Sequence, residues 1–287
     1  MSPDPPREAS APADFGPELA LATDAARRAG ALQMERYGRL ERIVHKSEKD
    51  VVTEVDHLSE ELILEAIRGA FPQDEILAEE SGSHRGARRH VDAAAAAEPS
   101  GAPEPARRTW VVDPLDGTVN YANGIPIFCV SIALVRGHEP VVGVVYDPAR
   151  DELFSAVAGQ GACLDGQPIH LPVKEKLSDC VISLALPWRG FARRERRIRR
   201  DVRVTRNLGS AALALAYVGN GRFDAFLQLR GLSSWDIAAA GLIAAEGGAR
   251  VTDASSGPWL DLDRPGRALS VVAAAPTHHQ ALLAALA

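Results

Sequence analysis

A short apolar run, residues 110–112 (W-V-V), leads directly into the polar sequence D-P-L-D-G-T of residues 113–118. The run is typical of a buried strand, and Pro114 restricts the backbone that follows, so the chain leaves the strand through a fixed elbow. Asp113 and Asp116 stand on this elbow, where two carboxylates can hold a hard divalent cation. The simpler interpretation is a strand end followed by a turn, because Asp, Pro and Gly are common turn residues.

The bulk composition narrows the classes of protein to which the chain can belong. With 287 residues, 46% of them hydrophobic and 24% charged, it has the composition of a soluble globular protein. A net charge of -6 argues against a broad basic surface for nucleic acid. Cys129, Cys163 and Cys180 lie far apart and form no CxxC motif, so we expect no disulfide framework and a cytoplasmic location. No apolar run approaches the roughly 20 residues that span a membrane, so no membrane partner is expected.

Four segments of the chain carry a resemblance to a known family. Residues 113–121, D-P-L-D-G-T-V-N-Y, resemble the D-P-x-D-G-T-x-N-F/Y signature of the inositol monophosphatase family. Residues 50–56 (D-V-V-T-E-V-D), 79–81 (E-E-S) and 235–239 (W-D-I-A-A) are similar to three further motifs of that family. Ala78 departs from the pattern, because the family usually has a glycine there. The resemblance extends over most of the chain and implies a magnesium-dependent, lithium-sensitive phosphatase.

The patterns along the chain predict a layered α/β fold. Runs of helix and runs of strand are segregated, which argues for layers of helix and sheet. The resemblance implies the finer architecture, an αβαβα five-layer sandwich that forms a homodimer. Helices are predicted over residues 17–34, 53–69, 191–203, 210–220, 235–246 and 277–286. Strands are predicted over residues 75–78, over an antiparallel meander of 130–135, 141–146 and 152–156, and over 180–186, 223–227, 250–252 and 269–273.

The chain is expected to consist of two halves with two irregular segments. Residues 1–14 are rich in Pro and charge and are expected to form a disordered tail. Residues 15–175 are the expected α+β half with the metal site, and residues 176–287 are the expected second, α/β half. Residues 83–108 have almost no large apolar side chains, so we expect a flexible insert. A lid over the site is the alternative for this insert.

The resemblance implies a metal site built from carboxylates that are far apart in the sequence. Glu79, Asp113 and the carbonyl of Leu115 would hold one Mg²⁺ ion, and Asp113, Asp116 and Asp236 would hold a second. Glu79 would also reach a third, weaker ion, so two to three ions are expected. Oxygen-only ligands, with no His or Cys among them, suit Mg²⁺ rather than zinc.

The resemblance places the remaining site residues around these ions. Thr118 and Asp56 would orient and deprotonate the attacking water, and Glu80 would lie near water on the metals. The N–H groups of Gly117 and Thr118 would hold phosphate oxygens. Further substrate contacts are expected from Gly209, Ser210 and Arg230. For Asp56 and Asp236 the simpler alternative is a helix cap, because acids are common at helix starts.

These residues predict the hydrolysis of a small-molecule phosphate monoester, in the manner of an inositol-1-phosphatase. Two metal ions can stabilise both the entering and the leaving oxygen of such a reaction. A fructose-1,6-bisphosphatase, a histidinol-phosphatase or a nucleotide 3'-phosphatase of the same family is the alternative. A non-catalytic module that binds metal or phosphate would require the loss of at least one site residue, and all are present. An Asp-nucleophile phosphatase would need a DxDx(T/V) motif, and the chain has D-P-L-D instead.

One departure from the family bears on the substrate. Inositol phosphatases of the family carry a glutamate at the position of Leu229, which is followed here by Arg230. A leucine cannot accept hydrogen bonds from ring hydroxyls, while an arginine favours a second anionic group. The sequence therefore predicts a preference for a substrate other than myo-inositol 1-phosphate, unless both side chains point away from the site.

Overall fold

The computed structural model describes residues 14–39, 43–47, 50–86, 106–186, 192–264 and 267–286. The predicted tail, residues 1–14, lies outside this part of the chain apart from Asp14. Among the described helices, none combines the length and the apolar character that crossing a bilayer requires.

The helices and strands follow the order that the sequence patterns predict. The helices are α1 (Gly16–Arg36), α2 (Glu54–Ala70), α3 (Thr118–Ala122), α4 (Ala192–Asp201), α5 (Ala211–Gly219), α6 (Ser234–Glu246) and α7 (Pro276–Leu286). The strands are β1 (Ile43–Ser47), β2 (Asp50–Thr53), β3 (Glu75–Ala78), β4 (Gly82–His84), β5 (Arg108–Asp116), β6 (Cys129–Arg136), β7 (Glu139–Asp147), β8 (Glu152–Val157), β9 (Ala162–Leu164), β10 (Gln167–Ile169), β11 (Val181–Ala185), β12 (Val204–Arg206), β13 (Ala225–Leu232), β14 (Arg250–Thr252) and β15 (Leu269–Ala274). The short strands β1, β4, β9, β10 and β12 are additions that the sequence does not predict.

The strands form two large sheets and a small hairpin. The larger sheet has eight strands in the order β10-β9-β8-β7-β6-β5-β3-β4, and the smaller has five in the order β12-β11-β13-β15-β14. Antiparallel pairing of β6 with β7 and of β7 with β8 confirms the predicted meander. β5 pairs with β3 in parallel, as β11 does with β13, so both sheets are mixed.

Alternating side chains on the strands hold five layers together. In β5, Trp110 and Val112 face a buried cluster shared with α1 and α2, while Val111 faces a second cluster with α5 and α6. In β15, Val271 packs on that second cluster, while Val272 packs with α4 and α7 on the far side of the smaller sheet. The layers are therefore α1/α2, larger sheet, α5/α6, smaller sheet and α4/α7, which confirms the αβαβα sandwich.

The predicted insert, residues 83–108, is shorter than the sequence suggests. Its first residues belong to β4, which pairs with β3. At its other end Arg108 begins β5, where its guanidinium donates to Glu18 Oε1 at 2.8 Å and to Asp74 Oδ1 at 2.9 Å. These partly buried ion pairs fix the start of β5 against α1 and against the turn after α2. Residues 87–105 lie outside the described part of the chain.

Gly143 on β7 allows α6 to pack closely against the larger sheet. A β-carbon at this position would lie 2.7 Å from the carbonyl oxygen of Ala239. We therefore expect Gly143→Ala to displace α6 and to lower the free energy of unfolding, measured in urea, by about 1–3 kcal/mol. Gly69→Ala is the matched control, because nothing lies within 4 Å of its β-carbon and alanine favours a helix. Unchanged stability of Gly143→Ala would contradict the close packing.

Candidate active site

A cleft of about 220 Å³ opens where the end of β5 faces the ends of β11 and β13. Both sheets and the helix layer between them contribute to its lining. The predicted site residues in the lining are Glu79, Asp113, Leu115, Asp116, Gly117, Thr118, Gly209, Ser210 and Asp236. The residues that the sequence does not predict there are Val119, Ser183, Ala185, Asn207, Ala211, Phe226, Gln228, Gly231, Leu232 and Arg267.

The elbow at the end of β5 is held by its own backbone. Asp113 Oδ1 accepts a hydrogen bond from the N–H of Leu115 at 3.1 Å, which folds the chain back towards the cleft. Gly117 has φ +101°, in the left-handed region, and a β-carbon there would lie 2.9 Å from the carbonyl oxygen of Ile127. Both the backbone angle and the available space therefore require glycine at this position.

Asp116 connects the elbow to the helix layer between the sheets. Its Oδ2 atom accepts hydrogen bonds from Ser210 Oγ at 2.6 Å and from the N–H of Ala212 at 2.7 Å. Both donors lie at the N-terminal end of α5, where free N–H groups and the helix dipole favour a negative charge. Ser210 also caps the helix, because its Oγ accepts from the N–H of Leu213 at 3.3 Å. One carboxylate thus fixes the elbow against α5.

Asp56 and Asp236 each close a capping box at the start of a helix. Asp56 Oδ2 accepts from the N–H of Thr53 at 2.9 Å, and Asp236 Oδ2 accepts from the N–H of Ser233 at 2.7 Å. The interpretation of both acids as caps is therefore confirmed. It is incomplete for Asp236, since this residue also lines the cleft.

Asp113, Asp116 and Asp236 form a carboxylate cluster in which one oxygen atom from each lies within 4.8 Å of the others. Burial raises the pKa of Asp113 well above its ordinary value, and the charges of Glu79 and Asp116 raise it further. The pKa of Asp236 is also raised well above its ordinary value, mainly by burial and further by the charge of Asp116. For Asp116, burial raises the pKa while the hydrogen bond from Ser210 opposes the shift. Repulsion between buried like charges of this kind is relieved by a bound cation.

Glu79 stands at the edge of this carboxylate cluster, just after β3. Its N–H donates to the carbonyl of Val112 at 3.2 Å, which continues the pairing of β3 with β5 into the site. One carboxylate oxygen, Oε1, lies 4.0 Å from Nη2 of Arg267. Arg267 is the one cation among the described residues that line the cleft, so the site has an acidic floor and a basic group at its rim.

Thr118 connects the cleft to a carboxylate that lies behind it. Thr118 Oγ1 is 2.9 Å from Asp56 Oδ1 and 3.0 Å from the carbonyl oxygen of Leu115, and its proton can be donated to either. Asp56 is fully buried outside the lining, and this burial raises the pKa of its carboxyl group. Glu80 is also outside the lining; its N–H donates to Glu60 Oε2 at 2.8 Å, and its charge adds to the rise in the pKa of Asp56.

Asn120 and Tyr121, near the end of the elbow motif, hold the site in place through hydrogen bonds to other parts of the chain. Asn120 Nδ2 donates to the carbonyls of Ile127 and Leu208, each at 2.8 Å. Gly209 packs on this amide, because a β-carbon there would lie 2.8 Å from Asn120 Nδ2. Tyr121 Oη donates to a backbone carbonyl of α1 at 2.7 Å. The motif therefore fastens the elbow both to the loop before α5 and to the outer helix layer.

The wall contributed by β13 differs from the one that the sequence predicts. Leu229 packs in the outer cluster with α4 and α7, and Arg230 is exposed outside the lining, so the expected contact of Arg230 with substrate is corrected. The physical reason is a bulge, because the pairing of β13 with β15 becomes irregular after Gln228 and Gly231 lines the cleft instead. Arg267 is the arginine at the cleft, and no local pattern signals it because strand pairing alone brings it there.

Comparisons with known proteins agree with this fold and site. The model of the inositol monophosphatase family matches residues 16–287. The protein named Nus factor SuhB of Pasteurella multocida is 38% identical over 252 residues, covering 85% of this chain and 87% of its own. The fructose-1,6-bisphosphatase/inositol-1-monophosphatase of Thermotoga maritima is 38% identical over 234 residues, covering 80% and 82%. The solved structure of the extragenic suppressor protein suhB of Bartonella henselae has a TM-score of 0.82 at 32% identity, covering 94% of this chain and 98% of that chain.

The matched region contains the elbow, all acids of the carboxylate cluster and both sheets. The family model and the relatives each cover most of the chain rather than one motif. On these grounds the chain belongs to the inositol monophosphatase family.

Proposed function

We propose that this chain hydrolyses a small-molecule phosphate monoester to an alcohol and phosphate, with Mg²⁺ as its cofactor. As a member of the inositol monophosphatase family it is a phosphomonoesterase, and the proposal concerns its metal, its residues and its substrate. The observation that carries the proposal is the buried carboxylate cluster beside the Thr118–Asp56 pair. A module that only binds metal or phosphate has no need of a hydroxyl paired with a buried carboxylate at that place.

The chemistry of the donors fits Mg²⁺. Every donor is an oxygen, from Glu79, Asp113, Asp116, Asp236 and the carbonyl of Leu115, and hard divalent cations prefer oxygen ligands. The raised pKa values in the carboxylate cluster reflect repulsion that a divalent cation would relieve. These residues would hold two to three ions. When bound, Mg²⁺ offsets the charge of the acids and stabilises the charge that develops on the phosphoryl group.

Thr118 and Asp56 handle the proton of the attacking water. The Thr118 hydroxyl donates to Asp56 Oδ1, so its oxygen keeps lone pairs that accept a hydrogen bond from water. As the water attacks phosphorus and the ester P–O bond breaks, the proton of the water moves to Thr118 Oγ1 while the Thr118 proton moves to Asp56 Oδ1. The leaving oxygen takes a proton from solvent and departs as the alcohol, and Asp56 later returns its proton to solvent. The raised pKa of Asp56 makes its carboxylate a better proton acceptor near neutral pH. Glu80 lies near water on the metals in this proposal, and its charge adds to the rise in the pKa of Asp56.

Backbone N–H groups on two sides of the cleft hold the phosphate. Gly117 and Thr118 line it at the start of α3, where the first N–H groups have no partner within the helix. Gly209 and Ser210 line it at the start of α5, and since the Gly209 N–H already donates to Asn207 Oδ1 at 3.1 Å, the N–H of Ser210 is the donor on that side. The Ser210 hydroxyl already donates to Asp116, so Ser210 meets substrate through its backbone.

The proposed substrate class is a small phosphorylated polyol or sugar, with inositol 1-phosphate as the reference compound. The relative from Thermotoga maritima carries the names of both a fructose-1,6-bisphosphatase and an inositol-1-monophosphatase. Histidinol phosphate and nucleotide 3'-phosphates stay as alternatives, and a phosphate-release screen distinguishes them. Assembly as a homodimer and a cytoplasmic location stay predictions.

Asp116→Asn tests the metal site. The amide oxygen can still accept from Ser210 and Ala212, so the fold should persist while one ligand charge is lost. We expect Mg²⁺-dependent phosphate release at saturating substrate to fall by at least about 100-fold, as when transition-state charge loses its stabilisation. Asp24→Asn is the control, because Asp24 is an exposed partner of Arg28 on α1 and does not line the cleft. Near-normal activity of Asp116→Asn would disprove the assignment.

The pH dependence of stability without metal tests the charge repulsion in the carboxylate cluster. The pKa of Asp113 is raised in the folded chain above the ordinary value of 3.8, so its contribution to stability is lost as pH rises from that value through the folded pKa. With a chelator present, we expect the melting temperature to fall as pH rises above 3.8, and Asp113→Asn to melt several degrees higher than the unmodified chain once Asp113 is ionised.

Two measurements complete this test. Mg²⁺ should restore the melting temperature of the unmodified chain at about pH 8, because the cation replaces the protons. Asp24→Asn should follow the unmodified chain at every pH. If Asp113→Asn melts lower than the unmodified chain in chelator at high pH, the carboxylate cluster is not under the repulsion inferred here.

A further inference from the structure

The wall of the cleft that faces the carboxylate cluster is neutral to basic. β11 and β13 run in parallel, with Ser183 beside Phe226 and Ala185 beside Gln228, and all four residues line the cleft. Among the described lining residues that follow Asp116 and belong to the strands and loops of the smaller sheet, none is acidic and Arg267 is the cation. Carboxylates bind the hydroxyls of a polyol strongly, and the described residues of this wall include none.

The two amide side chains of this wall leave different groups for a ligand. Asn207 Oδ1 accepts from the N–H of Gly209 at 3.1 Å, so the group that Asn207 offers to a ligand is its NH₂ donor. Gln228 Nε2 donates to the carbonyl of Arg230 at 3.2 Å, which fixes that side chain against the bulge in β13. The wall therefore offers a neutral amide donor from Asn207 and a neutral amide acceptor, Oε1 of Gln228, but no negatively charged acceptor.

Strand pairing holds Arg267 at the rim of the cleft. Its carbonyl accepts from the N–H of Gly231 at 3.0 Å, just before regular pairing resumes between Leu232 and Leu269. Its side chain is 51% exposed and lies 4.0 Å from Glu79, whose own side chain is 14% exposed. The guanidinium thus stands between the acidic floor and the opening through which a substrate enters.

A simpler role for Arg267 is to balance the charge of Glu79. A half-exposed ion pair at 4.0 Å contributes little to stability, so this contact alone gives no strong reason for an arginine here. If Glu79 holds Mg²⁺ as proposed above, the cation competes for the same carboxylate. Because Arg267 lines the cleft, its guanidinium can also bind a carboxylate or a phosphate of a ligand there through two hydrogen bonds.

We propose that Arg267 is a specificity-determining residue that binds a second anionic group of the substrate. The preferred substrates are then phosphate monoesters with another phosphate or a carboxylate at the end remote from the reacting phosphoryl group. This inference rests on the proposed function, because it assumes that the reacting phosphate lies over the carboxylate cluster. The guanidinium would bind a phosphate and a carboxylate in the same way. Pairs of substrates that differ only in the second anionic group show which of the two is preferred.

The test compares two pairs of probe substrates that differ in the second anion. Fructose 1,6-bisphosphate is paired with fructose 1-phosphate, and 3-phosphoglycerate with glycerol 3-phosphate. The quantity measured is the ratio of kcat/KM within each pair, for the unmodified chain, for Arg267→Gln and for Arg264→Gln. Arg264 is the control, since it is an exposed arginine of the same segment that does not line the cleft.

We expect the unmodified chain to prefer the doubly anionic member of at least one pair. Arg267→Gln should lower that ratio by about tenfold or more, the size expected for a lost hydrogen bond to a charged group. Most of the loss should be in KM, whereas damage to the metal site would lower kcat for both members. Arg264→Gln should leave the ratio unchanged.

Two results would overturn the proposal while leaving the phosphatase assignment intact. The first is an unchanged ratio in both pairs for Arg267→Gln. The second is an equal loss with Arg264→Gln, since the effect would then come from general surface charge. If the unmodified chain with Mg²⁺ releases phosphate from none of the four probes but does so from inositol 1-phosphate, only this inference fails. If it releases phosphate from none of the four probes and from none of inositol 1-phosphate, histidinol phosphate and a nucleoside 3'-phosphate, the proposed function fails as well.

Discussion

The hydrogen bonds between Asp116 and the start of α5 hold the two sides of the site together. The carboxylate belongs to the larger sheet, while its donors Ser210 and Ala212 precede and begin a helix of the middle layer. This contact fastens the end of β5, which carries Asp113 and Asp116, to the turn that carries Gly209 and Ser210, so residues of both line one cleft. The middle layer packs on both sheets through apolar side chains and buries Ser210, while Asp116 stays half-buried at the cleft.

Burial of the carboxylate cluster makes the site unstable when no cation is bound. The charge of Asp116 raises the pKa of both Asp113 and Asp236, and this repulsion lowers the stability of the folded chain wherever all three aspartates are ionised. The packing of the surrounding layers must supply the free energy that offsets this repulsion. The packing brings the carboxylates so close together that they tend to keep their protons, and the same concentration of negative charge attracts a divalent cation. A cation-dependent activity is in this sense a consequence of the packing.

The sequence predicts the parts of the molecule that depend on local pattern. Helix periodicity, the meander and the elbow are local, and the structure has them where the patterns place them. The lining of the cleft by Arg267 depends on a bulge in β13 and on its pairing with β15, and no short segment encodes that arrangement. Leu229 lies away from the cleft because side chains alternate along β13 and Gln228 faces the cleft, whereas the bulge after Gln228 turns Arg230 away from it.

The capping boxes of α2 and α6 have a consequence for the order in which the site is assembled. Asp56 and Asp236 reach their positions when the first turn of each helix forms, since one oxygen of each acid closes that turn. Neither side chain then has rotamers left to lose when an ion or a substrate arrives. The entropy of ordering these two acids is lost during folding, and binding does not have to overcome it a second time. Tight binding by a small cleft is therefore compatible with acids that come from distant parts of the chain.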